Sequence, residues 1–271
     1  MKITRENHPI YANKHLAHYE LTEVLRNGNL DVLDFYTEIR NMIQNKSPKA
    51  VLMQYLLDMS KKSHEKIHFF RNRKDFLMKY IAEDRLGKDS DRIFTFTNER
   101  VDDYNQKIRD YYIKKSLGYV PEIHESDLFV VQEQGEIFNN SETIDLKSFK
   151  DVIVTIKGKK IYGYDCETSD GRKYRILKKE SKEEYKKIIE MLRIYALEKK
   201  NSNVWKSFYN FSNLFLKVKY QFSNSINKSQ GSSVGVSFVD CTNLDYVDAD
   251  NFSRLFYVGV TRAKDEINIL I

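Results

Sequence analysis

Two cysteines in 271 residues, Cys166 and Cys241, are too few and too far apart for a disulfide framework, and neither has the spacing that would hold zinc. Reduced thiols are therefore expected. No apolar run approaches the roughly 18 residues that cross a bilayer, and Met1 to His8 contain no apolar leader segment; the expected location is the cytoplasm. No internal repeat or low-complexity tract divides the chain. Absent too is the pattern Gly-x-x-x-x-Gly-Lys-Ser/Thr, whose backbone N–H groups cradle phosphates and whose hydroxyl holds magnesium. Gly87-Lys88-Asp89 and Gly158-Lys159-Lys160 lack both the earlier glycine and the hydroxyl. By itself, the chain is not expected to hydrolyse nucleotides.

What is present describes a well-packed, ion-rich molecule. Hydrophobic residues at 41% and aromatics at 13% suffice for an interior, and 31% of residues are charged. Lys and Arg outnumber Asp and Glu 45 to 39, a formal net charge of +6. That balance favours a polyanionic partner such as nucleic acid, with plain solubility charge as the competing reading.

Periodicity places the elements. Val32, Tyr36, Ile39 and Ile43, with Phe35 and Met42, fall at helical spacing between Asn29 and Ile43. An apolar run follows over Val51 to Met59, then a lysine-rich stretch from Lys61 to Lys74 expected at the surface, and a helix near Phe76 to Ala82. Arg92 to Phe96 reads as a strand, and Thr97-Asn98 supplies the cap of a helix carrying Val101, Tyr104, Asn105, Ile108, Tyr111 and Tyr112 on one face. After Pro121 the pattern changes to short β runs at Leu128 to Gln132, Asp151 to Ile156, Lys160 to Tyr164 and Arg172 to Leu177, with turns at Gly158 and Ser169-Asp170-Gly171. A charged helix bearing Tyr185, Ile188, Leu192 and Ala196 comes next. Strands then return at Lys217 to Phe222, Val234 to Asp240 and Ile267 to Ile271. The expected architecture is an α/β domain over 1–124 and 181–271, interrupted by a small β barrel over 125–180.

Four segments carry the sharpest signals: Leu21-Thr22-Glu23-Val24-Leu25-Arg26, Phe96-Thr97-Asn98-Glu99-Arg100-Val101 followed by Asn105 and Arg109, Ser225-Ile226-Asn227-Lys228-Ser229-Gln230-Gly231, and Leu255-Phe256-Tyr257-Val258-Gly259-Val260-Thr261-Arg262-Ala263-Lys264. In order and spacing they resemble motif IV, the Thr-Asn motif, motif V (Thr-x-His-Lys-Ser-Gln-Gly) and motif VI (Tyr-Val-Ala-Val-Thr-Arg-Ala) of superfamily 1 DNA helicases. The resemblance is nearest to the RecD/Dda-like type and runs from about Tyr11 to Ile271; Ile137-Phe138-Asn139-Asn140 fits that branch too. It implies a RecA-like second motor domain with an inserted SH3-like barrel, and 5′→3′ stepping along single-stranded DNA. No acidic pair of the magnesium-binding type precedes Arg26, so ATP and Mg2+ would be shared with a separate N-terminal P-loop half.

The resemblance also distributes roles. Arg262 and Arg26 become arginine fingers for the γ-phosphate, where a planar, permanently charged guanidinium stabilises developing negative charge. Gln230 and Gly231 become nucleotide-sensing, Gly231 because it lets a ligand approach the backbone closely. Thr97, Asn98, Ser225, Asn227 and Lys228 become contacts to single-stranded DNA. Two departures stand out: Asn227 replaces the motif's histidine, and Gly235 stands where relatives carry an acid. Taken singly, each residue has a plainer reading. Thr97 would then be a helix cap, Arg26 a solvated loop residue, and Arg262 a cation at a helix end. The rival function is a non-catalytic remnant that grips single-stranded nucleic acid.

Overall fold

The computed structural model describes residues 29–82, 91–229, 233–242 and 247–271. Seven helices among them are α1 (Leu30–Gln44), α2 (Lys49–Met59), α3 (Arg73–Ala82), α4 (Asn98–Leu117), α5 (Lys182–Lys199), α6 (Ser202–Ser212) and α7 (Ala249–Val260). Side chains cap the starts of α1, α4, α6 and α7. In α1 the Asn29 side chain accepts from the Val32 N–H at 3.2 Å, and Val32, Phe35, Tyr36, Ile39 and Met42 then turn one face inward.

The central element is a five-stranded parallel sheet in the order β1-β11-β10-β2-β9, with β1 Ile67–Phe70, β2 Asp91–Thr95, β9 Ser223–Ser225, β10 Val234–Asp240 and β11 Ala263–Leu270. Alternate side chains feed opposite faces, as the pleat requires. Phe94, Val239 and Ile269 join a core with α1, α2 and α7, whereas Ile93, Phe238 and Leu270 join one with α3 and α4. The result is a three-layer α/β/α arrangement. A side chain completes one strand bond: at the bulge of β10 between Val234 and Val236, the buried Asp91 carboxylate accepts from the Val236 N–H at 2.9 Å.

Two antiparallel sheets occupy the interrupting region. One has the order β4-β3-β8, from β4 Thr143–Asp145, β3 Leu128–Val131 and β8 Val218–Tyr220; the other has the order β5-β6-β7, from β5 Ser148–Ile156, β6 Lys159–Glu167 and β7 Lys173–Leu177. They share a core of Phe129, Val131, Ile144, Tyr164, Cys166 and Tyr174, against which Val218 and Tyr220 pack.

Three expectations need correction. The lysine-rich stretch contains β1, whose Ile67 is buried and which pairs in parallel with β11 along Ile67 to Phe70; its flanking charges hide a strand too short to show alternation. The boundary at 180 is also too early. Strand β8 pairs antiparallel with β3 rather than joining the parallel sheet, and Ile188 of α5 and Phe215 pack on Ile156 and Ile161. Residues 182–220 therefore belong with the β unit. Finally, α7, with Arg262 expected at its end, stops at Val260, so that Arg262 lies just past the C-cap Thr261.

Candidate nucleic-acid interface

The carboxyl edges of β2 and β9 bring two of the motifs together. These strands are neighbours, with Thr95 in register with Ser225, so the segments that leave them, Thr97-Asn98 and Ser225 to Ser229, emerge side by side. Carboxyl ends of parallel strands are where open α/β sheets bind their ligands. Thr97 caps α4, its hydroxyl accepting from the Arg100 N–H at 3.3 Å. Capping and ligand contact are compatible, since the other N–H groups of that first turn have no partner within the helix.

Asn98 is held from the β unit: Lys219 of β8 donates from Nζ to its Oδ1 at 3.4 Å and pairs with Asp102 at 2.8 Å. Lys228 donates to Gln132, at 2.6 Å to Oε1 and 3.2 Å to the carbonyl oxygen. Burial, and after it the charge of Lys219, hold the Lys228 ammonium below the usual lysine range. Ser225 is half-buried and Asn227 exposed. Neither Lys219 nor Gln132 was singled out by motif spacing, because both lie in the β unit, outside any motif.

Asn105 and Arg109, which follow the Thr-Asn motif, do structural work in this fold. The Asn105 amide completes a strand it does not belong to, donating to the Ser223 carbonyl at 3.1 Å and accepting from the Ser223 N–H at 2.8 Å. Arg109 makes a bidentate pair with Asp127, Nε to Oδ1 at 2.7 Å and Nη2 to Oδ2 at 2.9 Å. It also donates to the Pro121 carbonyl at 2.9 Å and lies over the Tyr220 ring. One side chain fixes β9 and the other fastens α4 to the β unit, so together they set the edge on which Thr97, Asn98, Ser225, Asn227 and Lys228 converge.

From Ser225 the chain crosses the face of the sheet. The 3-10 helix Ile226–Ser229 buries Ile226 in the core shared with α7, and the segment reaches β10, which begins at the amino edge. Arg262 lies at that amino edge, between the C-cap Thr261 and β11. The carbonyls at the end of a helix are short of backbone partners, and in α7 the last four are each met by a side chain, those of Tyr257 and Gly259 beside a backbone N–H. Tyr257 receives the Thr261 hydroxyl at 2.7 Å, Val258 the Arg262 Nε at 3.0 Å, Gly259 the Ser237 hydroxyl at 2.9 Å and Val260 the Tyr36 hydroxyl at 2.9 Å. The guanidinium thus sits where the helix dipole favours a cation, and its Nη1 reaches the Ser229 carbonyl at 3.5 Å. Gln230 and Gly231 follow directly but, like Arg26, lie outside the described residues.

Residues 222–270 match the UvrD-like helicase C-terminal domain. Over 292 residues the chain is 26% identical to an ATP-dependent DNA helicase, dda, of Enterobacteria phage T4, an alignment covering 96% of this chain and 63% of the relative. The chain thus spans less than two thirds of the length of that curated relative. Among solved structures it is similar to the Pif1 helicase of Candida albicans, at 12% identity and a TM-score of 0.35, covering 67% of this chain and 44% of that one. Among the described residues no helix is long and apolar enough to cross a membrane, and no group of three or more His, Cys, Asp or Glu side chains is placed to hold a metal ion.

Proposed function

We propose that this chain is the second, RecA-like motor domain of an ATP-dependent 5′→3′ DNA helicase, with the β unit as its SH3-like insert. It would act with a P-loop half that holds ATP and Mg2+. The observation that carries this reading is the path from Ser225 to Ser229, which joins the edge bearing Thr97, Asn98, Asn227 and Lys228 to the opposite edge bearing Arg262. A phosphate contact at one end and a phosphoryl-facing arginine at the other are what coupling of strand grip to nucleotide state requires.

In this reading Arg262, with Arg26, supplies positive charge to the γ-phosphoryl oxygens of ATP, while Gln230 and Gly231 approach the nucleotide. Thr97, Asn98, Ser225, Asn227 and Lys228 hold the phosphate backbone of single-stranded DNA. The residues present fit the nucleotide only as its second wall. The chain has no glycine-rich phosphate loop of its own, and the carbonyls of Val258 and Ser229 help to anchor the Arg262 guanidinium at the amino edge.

The test is ATP hydrolysis stimulated by single-stranded DNA, measured with this chain, with a P-loop half supplied as a second polypeptide, and with both. Activity only in the mixture is expected, and Arg262→Ala should lower it by about 10³-fold or more while leaving strand binding in place. The absence of a P-loop in this chain favours a second reading, a non-catalytic binder of single-stranded nucleic acid. Salt-sensitive binding with no hydrolysis in any mixture would select it.

A further inference from the structure

We infer that the β unit itself grips the nucleic-acid backbone, through a two-lysine phosphate clamp formed by Lys219 and Lys228 across its junction with the parallel sheet. This inference rests on the proposed strand-binding role of the β2/β9 edge and extends it to a part of the chain that no motif covers.

The geometry is specific. Lys219 belongs to β8, the edge strand of the β4-β3-β8 sheet, and Lys228 belongs to the 3-10 helix that follows β9. Only Gln221 and Phe222 separate β8 from β9, so the two sheets meet at this point and the two ammonium groups come from opposite sides of the seam. Both lysines are tied to the other side. Lys219 reaches Asn98 and Asp102 of α4, and Lys228 reaches Gln132 at the end of β3. Just before β8, two residues from Lys219, Lys217 pairs with Glu133 at 2.9 Å.

The charges facing this cluster are unequal. Asp102 engages Lys219 and Glu133 engages Lys217, whereas within ion-pair distance Lys228 meets no carboxylate among the described residues, only the neutral oxygens of Gln132. Lys228 is itself exposed, so its ammonium is open to an anion that approaches from solution. The charge of Lys219 adds to burial in holding the Lys228 ammonium below the usual lysine range. A phosphodiester lying over the seam would complete the set, beside the first turn of α4. Gln132 is then a positioning residue that aims the Lys228 ammonium.

The experiment is binding of a fluorescent oligothymidylate to the full chain over a series of salt concentrations. Loss of one lysine–phosphate contact lowers the slope of log affinity against log salt by about 0.7 for single strands. Lys219→Gln is expected to lower it by about that amount, and Lys219→Gln with Lys228→Gln by about 1.4. Lys219→Arg should keep the slope, and Lys62→Gln, beyond the opposite edge of the parallel sheet, should leave it unchanged. Thermal melts of each variant establish that it is folded. A wild-type chain that binds with a slope unaltered by Lys219→Gln overturns the clamp and leaves the β2/β9 edge reading standing. A wild-type chain that does not bind at all overturns both.

Discussion

Removing the Asp127 carboxylate tests the junction on which the site depends. Arg109 is 1% exposed and Asp127 3% exposed, and they are joined by two hydrogen bonds of 2.7 and 2.9 Å. Asp127 further accepts from the His124 N–H at 2.8 Å. In Asp127→Ala the guanidinium stays buried with the Pro121 carbonyl, the Tyr220 ring and the half-exposed Asp110 carboxylate as its remaining described partners, and Asp110, at 4.0 Å, offers an opposite charge only at the limit of ion-pair distance. Removing the close partner of a buried charge costs about 3–5 kcal/mol, and a long contact to an exposed carboxylate offsets little of it. At roughly 2–4 °C per kcal/mol for a domain of this size, the melting midpoint should fall by about 6–20 °C. The assay is a thermal melt followed by far-UV circular dichroism, repeated for Arg109→Met combined with Asp127→Leu. That apolar pair removes the charge along with its partner and should recover most of the loss. A midpoint for Asp127→Ala within about 2 °C of the wild type would refute the argument, because it would mean the guanidinium reaches water or another anion.

Asn105→Ala strips both the acceptor for the Ser223 N–H and the donor to its carbonyl, in a position 2% exposed. A loss of about 1–3 kcal/mol per unsatisfied group is expected in urea denaturation, together with weaker oligonucleotide binding because β9 carries Ser225; unchanged binding would separate the strand from the site. Burial pushes the Cys166 thiol up to about 12 and the Cys241 thiol well above its ordinary value. A thiol whose folded value is raised contributes stability in full below its ordinary value of 9.0, and that contribution is lost as the pH rises toward about 12. A disulfide-exchange reagent at about pH 8 should therefore label neither cysteine until the chain is unfolded, and rapid labelling of native protein would contradict their placement.

The sequence by itself determined the elements whose cause is local. The helix face of Val32, Phe35, Tyr36 and Ile39, the strand-cap-helix unit from Asp91 through Thr97 to Leu117, and the strand pairs around Gly158 and Gly171 all follow from period, capping and turn chemistry within a few residues. So does the motif order that led to Arg262, Ser225, Asn227 and Lys228. Only the tertiary structure decided which strands pair. Val218–Tyr220 reads alone as one more strand of the α/β domain, yet it completes the β unit; Ile67–Phe70 reads as surface, yet it extends the parallel sheet. It also decided that Asn105 and Arg109 brace the site and that Lys219 and Gln132 adjoin it. The reason is the same in each case. Periodicity and capping act over one turn or one pleat, whereas a partner for a strand edge, a buried guanidinium or an ammonium group comes from residues 18 to 200 positions away, chosen by how the whole chain packs.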